Sequence, residues 1–224
     1  MDEATESKLQ KALGFAYEKA TTTGIPGLGS AIDMAESYRK KYPGNVTKQV
    51  DELIKWQMAK GATSGFVTGL GGFVTLSVAI PANLVSVLYI QINMIAAIAH
   101  LGGCDVRDEK IKTLVYACIV GDRVKDILEE AGVDIIAEFV VDKMISGLTV
   151  DAMLRVSRVV GLRLAAQLGI KGPAKMAPLI GGVIGGVIDA VWTRSVGKAA
   201  KKVFIEGRQA TDGPQKSITE STDV

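Results

Sequence analysis

Charge is missing from one long stretch of this chain: between Gly61 and Cys104 there is no Asp, Glu, Lys or Arg. Histidine is almost absent too, occurring only as His100, which leaves no second imidazole for acid/base pairing. Cysteine occurs twice, as Cys104 and Cys118, too few for a disulfide scaffold and therefore pointing to a reducing compartment. Aromatic residues make up 5% of the chain although hydrophobic residues make up 48%. With 25 glycines, the expected core is aliphatic, Ala and Gly, which suits close helix packing better than a β-sandwich. No nucleotide loop is present: Gly69-Leu-Gly71-Gly72 lacks the P-loop lysine, and Gly27-Leu-Gly29 follows a helical pattern rather than a strand. The first residues, Met1-Asp-Glu-Ala-Thr-Glu-Ser-Lys8, are polar and acidic, unlike a secretory leader, so a cytoplasmic location is expected.

What is present is a chain of 224 residues, enough to bury a large core. Apolar and small residues at Leu9, Ala12, Leu13, Ala16, Tyr17 and Ala20 predict a helix from about Ala4 to Thr21. Ser30 is placed to cap a second helix, Ala31 to about Lys41, with Asp33 in its first turn. A third helix starts at Asn45 or Thr47 and leads into the uncharged stretch. There Gly65 to Ile80 and Leu84 to Leu101, joined by Pro81-Ala-Asn83, read as one apolar hairpin. Beyond it, helices are expected from Asp105 to about Glu130, Asp134 to about Ile145, Asp151 to Leu168, and Lys175 or Pro178 to about Ile205. The fold class is all-α, a multi-helix bundle around a central Gly-rich apolar hairpin. Residues 1–206 form one domain, and 207–224 form a disordered polar tail.

Within the hairpin, Ser86, Tyr89, Asn93 and His100 fall in one narrow sector of a helical wheel. Such a stripe is a poor neighbour for lipid and needs hydrogen-bond partners: backbone, other polar groups, or a ligand. Asp189, inside Ile180-Gly-Gly-Val-Ile-Gly-Gly-Val-Ile188, is the acid expected to be buried, and with the stripe it completes the candidate ligand or lipid cavity. Gly181, Gly182, Gly185 and Gly186 allow close helix approach, with Gly65, Gly69 and Gly72 as the matching surface. Either the two glycine segments cross inside the protein, or they insert into a membrane as glycine zippers do; a hairpin buried inside a helical domain is the favoured reading. Charge is uneven: 105–151 hold eleven acidic against six basic residues, whereas 152–208 hold ten basic against two acidic. Arg155, Arg158, Arg163, Lys198, Lys201 and Lys202 are therefore the candidate docking face for an anionic membrane. Nucleic acid is not the expected partner, because the basic block has almost no interleaved aromatics. No metal site is expected, since His100, Cys104, Asp105 and Cys118 lack ligand spacing. Neither a cofactor nor a catalytic residue is assigned.

The runs Leu53-Ile-Lys-Trp-Gln-Met-Ala-Lys60, Ala62-Thr-Ser-Gly-Phe-Val-Thr-Gly-Leu-Gly-Gly72, Ile80-Pro-Ala-Asn83, Tyr89-Ile-Gln-Ile-Asn-Met-Ile-Ala-Ala-Ile-Ala-His100 and Lys112-Thr-Leu-Val-Tyr-Ala-Cys118 resemble the bacterial EcsC protein family. Gly24-Ile-Pro-Gly-Leu-Gly29 and Ala177-Pro-Leu-Ile-Gly-Gly-Val-Ile-Gly-Gly186 with Thr193-Arg194 extend the resemblance from about Gly24 to Phe204. The family takes its name from the third member of an operon that also encodes an ABC transporter. The resemblance implies a helical, membrane-associated protein without an assigned reaction. The functional expectation is a non-enzymatic protein, peripheral to the inner membrane, accessory to a process such as ABC transport or secretion. Its partner is an anionic lipid or a membrane protein complex. The alternative is a soluble carrier of lipid or a small apolar ligand; a glycine-zipper pore or an enzyme ranks lower.

Overall fold

The computed structural model describes residues 3–25, 29–61, 82–133, 141–167 and 182–209. Among these residues the chain is helical, with an isolated bridge between Ile25 and Gly29 in place of any strand. The helices are α1 (Glu3–Thr21), α2 (Ala31–Lys41), α3 (Val46–Gly61), α4 (Ala82–Leu101), α5 (Glu109–Cys118), α6 (Val124–Glu130), α7 (Val141–Gly147), α8 (Val150–Gln167), α9 (Gly182–Lys201) and the short α10 (Gly207–Gln209). A 3₁₀ turn, Gly121–Arg123, precedes α6, and a π-helical turn, Lys202–Glu206, extends α9.

The apolar helix α4 is the centre, packed by α1, α2, α3, α5 and α9. Leu88, Ile92, Met94, Ile95 and every residue from Ala96 to Ala99 are fully buried, so α4 presents no solvated face from Gln91 to Ala99. A helix apolar all round must be enclosed, and here the enclosure is protein. The first half of the expected hairpin, 65–80, lies outside the described residues.

Local chemistry sets the boundaries. The Ser30 side chain accepts from the Asp33 amide at 3.1 Å, and Asp33 Oδ2 accepts from the Ser30 amide at 3.1 Å, a reciprocal cap that starts α2 where the sequence predicts. Asn45 caps α3 by accepting from the Lys48 amide at 2.9 Å. Gly103, at φ 78°, ends α4, and the Cys104 amide returns to the Ala99 carbonyl at 3.0 Å.

One expected helix is divided. Instead of running from Asp105 to Glu130, the chain caps α5 at Asp108, stops at Cys118 and restarts at Val124. Gly121 takes φ 67°, and a Cβ there would overlap the Ser195 hydroxyl of α9. Ser195 Oγ accepts from the Asp122 amide at 3.0 Å, and Trp192 Nε1 donates to the Ile119 carbonyl at 2.9 Å. Contacts from α9 therefore stabilise the break. Gly207–Gln209 are helical, and the rest of the expected tail lies outside the described residues.

Candidate functional site

Two members of the expected polar stripe of α4, Tyr89 and Asn93, grip the loop between α1 and α2. Tyr89 Oη donates to the Gly29 carbonyl at 2.7 Å and accepts from the Ile25 amide at 3.1 Å. Asn93 Nδ2 donates to the same carbonyl at 3.1 Å and to Tyr89 Oη at 3.0 Å. Burial, partly offset by the bonds from Ile25 and Asn93, pushes the Tyr89 phenol up to about 12, so it stays a neutral donor. Tyr89 and Asn93 thus spend polar capacity on backbone. On the opposite side Gln91 Nε2 donates to Thr193 Oγ1 of α9 at 2.8 Å. The side-chain oxygens of Asn93 and Gln91 are buried without a hydrogen-bond partner among the described residues. Ser86 and Asp189 are positions on α4 and α9 whose side chains lie outside the described residues.

His100, the last member of the stripe, sits at the C-terminal turn of α4. Its Nε2 lies 3.2 Å from Glu36 Oε1 of α2, and Arg39 pairs with the same carboxylate oxygen. Beside them opens a groove of about 420 Å³ whose walls include Ile32, Arg39, His100, Cys104, Val106 and Arg107. Burial holds the Cys104 thiol up at about 11 and raises Cys118 further, so neither is a thiolate nucleophile at neutral pH. Among the described residues no His, Cys, Asp and Glu side chains gather into a metal-binding group.

The basic candidates separate into two sets. On α8, Arg155 pairs with Asp151, Arg158 Nε lies 3.5 Å from Glu6 of α1, and Arg163 Nη2 lies 3.2 Å from Glu130 of α6. On α9, Lys201 Nζ meets Asp51 of α3 at 2.6 Å. Lys198 and Lys202 are exposed, and Val191 and Arg194 continue their outward line at helical spacing. Arg194, counted in the basic block but not placed on the docking face by sequence reasoning, is exposed at the i, i+4 step back from Lys198. Sequence reasoning missed Trp56, exposed at 54% near the end of α3.

The register of the helices places these features. Gln91 meets Thr193, and Gly102 abuts Phe204, so α4 and the α9 segment run parallel in register. Ile54 meets Gly197 and Asp51 meets Lys201, so α3 runs antiparallel to α9. Gly61, Ala82 and Gly182 consequently lie at one end of the α3–α4–α9 layer. These residues flank 62–81 and 168–181. A Cβ at Gly197 would come within 2.8 Å of Ile54, which makes Gly197 a true close-packing glycine that sequence reasoning missed. Of the expected ones, Gly182, Gly185 and Gly186 fall in the first turns of α9, whereas Gly65, Gly69, Gly72 and Gly181 lie outside the described residues. Among the described residues no helix is long and apolar enough to cross a membrane.

No curated protein and no solved structure matches the chain. The family described as the EcsC protein family matches residues 1–206. The chain belongs to that family.

Proposed function

We propose that this EcsC-family chain is a non-enzymatic helical protein that docks peripherally on an anionic membrane surface and assists a membrane process such as transport. The docking face is the outer side of α3 and α9, with the end that carries Gly61, Ala82 and Gly182 nearest the bilayer. The carrying observation is the exposed line along α9, Val191 at 65% exposure followed by Arg194, Lys198 and Lys202, with Trp56 of α3 exposed at 54%. An apolar side chain toward the bilayer end with cations behind it along the same helix matches the layering of a headgroup region. Each lysine or arginine near an anionic surface contributes about 1 kcal/mol of attraction. Arg155, Arg158 and Arg163 lie on a separate helix, α8, where they pair with Asp151, Glu6 and Glu130.

Flotation with neutral or anionic vesicles at low and high salt tests the proposal. Wild-type protein is expected to float with anionic vesicles at low salt. Trp56→Glu and the pair Lys198→Glu/Lys202→Glu should each abolish that, while Leu154→Glu on the outside of α8 should not. Protein that stays unbound under every condition, or that binds equally in all variants, overturns the reading.

A further inference from the structure

From the groove at the C-terminal end of α4 we infer a binding site for a small soluble organic anion, a carboxylate or phosphate monoester with a short aliphatic part. The site is independent of membrane docking and lies at the other end of α4 from Ala82, about 30 Å along a helix of this length.

Two guanidinium groups reach this groove from separate elements: Arg39 from α2, and Arg107 from the turn after α4. Arg39 is committed on one side only. It pairs with Glu36 and makes a long bond, 3.4 Å, from Nη2 to the His100 carbonyl, leaving further N–H donors of its fork available. Arg107 makes no ion pair among the described residues. Two carboxylates stand at the groove, Glu36 beside Arg39 and His100, and Asp105 in the lining itself. Glu36 is shared by Arg39 and His100, and Asp105 Oδ1 accepts from the Arg107 amide at 2.9 Å. The C-terminal carbonyls of α4 carry the negative end of the helix dipole, and Arg208 answers it from α10 by donating to the Gly102 carbonyl at 2.9 Å. Arg107 is therefore not required as a helix cap. Arg107 and the partly free Arg39 both line the groove, and two such forks fit a carboxylate or phosphate. Ile32 and Val106 supply the apolar wall. A volume of about 420 Å³ is in the range of small-ligand sites.

The probes are hexanoate, hexyl phosphate and hexanol, titrated into the full chain and followed by amide and arginine side-chain NMR. Saturable shifts at Gly103 to Arg107 are expected with at least one of the two anions and not with hexanol. Arg107→Gln and Arg39→Gln should each weaken the affinity by about tenfold, the effect of one lost charge-assisted hydrogen bond. Helical circular dichroism should be unchanged, since both side chains are exposed. No saturable shift with either anion overturns the inference, as does equal binding of hexanol or undiminished binding by both variants. A last arm adds vesicles containing phosphatidylglycerol. Perturbation of these amides by vesicles but not by soluble anions transfers the site to a lipid headgroup and overturns the soluble-anion assignment.

Discussion

The two halves of α4 are held by different chemistry. In the N-terminal half the contacts are neutral and buried: Tyr89 and Asn93 grip Ile25 and Gly29, and Gln91 binds Thr193. At the C-terminal end they are charged and half-exposed: His100 and Arg39 on Glu36, and Arg208 on the Gly102 carbonyl. Neutral buried hydrogen bonds are expensive to break and indifferent to salt, because the orphaned group cannot reach water. Exposed ion pairs contribute little and are screened. Structural energy is thus concentrated in the neutral half, while the charged end keeps donors that can be lent to a ligand.

The strongest challenge to that division is steric and sits at the charged end. A Cβ at Gly102 would overlap the carbonyl oxygen of Phe204, a backbone atom that cannot rotate away. Gly102→Ala is expected to destabilise by about 3 kcal/mol through overpacking, lowering the melting temperature by roughly 6 to 12 °C. A negligible shift would mean that the π-helical turn does not pack on α4 in solution. Next comes Tyr89→Phe, which removes a donor from Gly29 and an acceptor from Ile25. A loss of about 2 kcal/mol in urea unfolding, equal at low and high salt, is expected. A salt-dependent loss would erase the contrast between the halves.

Alkali probes both halves together. Burial raises the phenols of Tyr17, Tyr89 and Tyr116 above their ordinary 10.0, and in the case of Tyr17 its hydroxyl also donates to the Val106 carbonyl at 2.7 Å. The native state therefore holds these protons more tightly than the unfolded chain. Their stabilisation is full below pH 10 and falls as pH rises past it. Urea midpoints should drop steadily above pH 10, and Tyr17→Phe should flatten that drop.

The neutral half was the more legible in sequence. Helical spacing alone puts Tyr89 and Asn93 on one side of α4, and Ser30 with Asp33 announces the start of α2, because both are relations within a few residues. The charged end and the breaks depend on residues far apart in the chain. Nothing near Gly121 shows that Ser195 will press against it, so periodicity carries a helix through a position where the chain turns. Nor does the block of arginines and lysines reveal that Glu6, Glu130 and Asp51 will pair with Arg158, Arg163 and Lys201. The groove is likewise made from Arg39, His100 and Arg107, three residues that no local motif connects.

Asp33 gives a smaller effect at the edge of the neutral half. Its bonds to the Ser30 hydroxyl and amide hold its carboxyl below the ordinary 3.8. That stabilisation is present at neutral pH and lost as pH falls through the depressed value. Ser30→Ala should cost about 1 kcal/mol at neutral pH, a typical lost cap, and should remove part of the acid sensitivity.

The smallest effect is the most informative about the charged end. Glu36→Gln breaks the shared carboxylate between Arg39 and His100, and both Glu36 and Arg39 are well solvated, at 40% and 44% side-chain exposure. A pair in that setting contributes at most about 0.5 kcal/mol at low salt and nothing measurable at high salt. The same change releases Arg39 from its carboxylate partner, so hexyl phosphate or hexanoate should bind more tightly than to the wild type even as stability falls slightly. If Glu36→Gln instead costs about 2 kcal/mol or more at both salt concentrations, the ion pair is as structural as the Tyr89 grip. Arg39 would then be fixed by the fold, and the groove would lose one of its two donors.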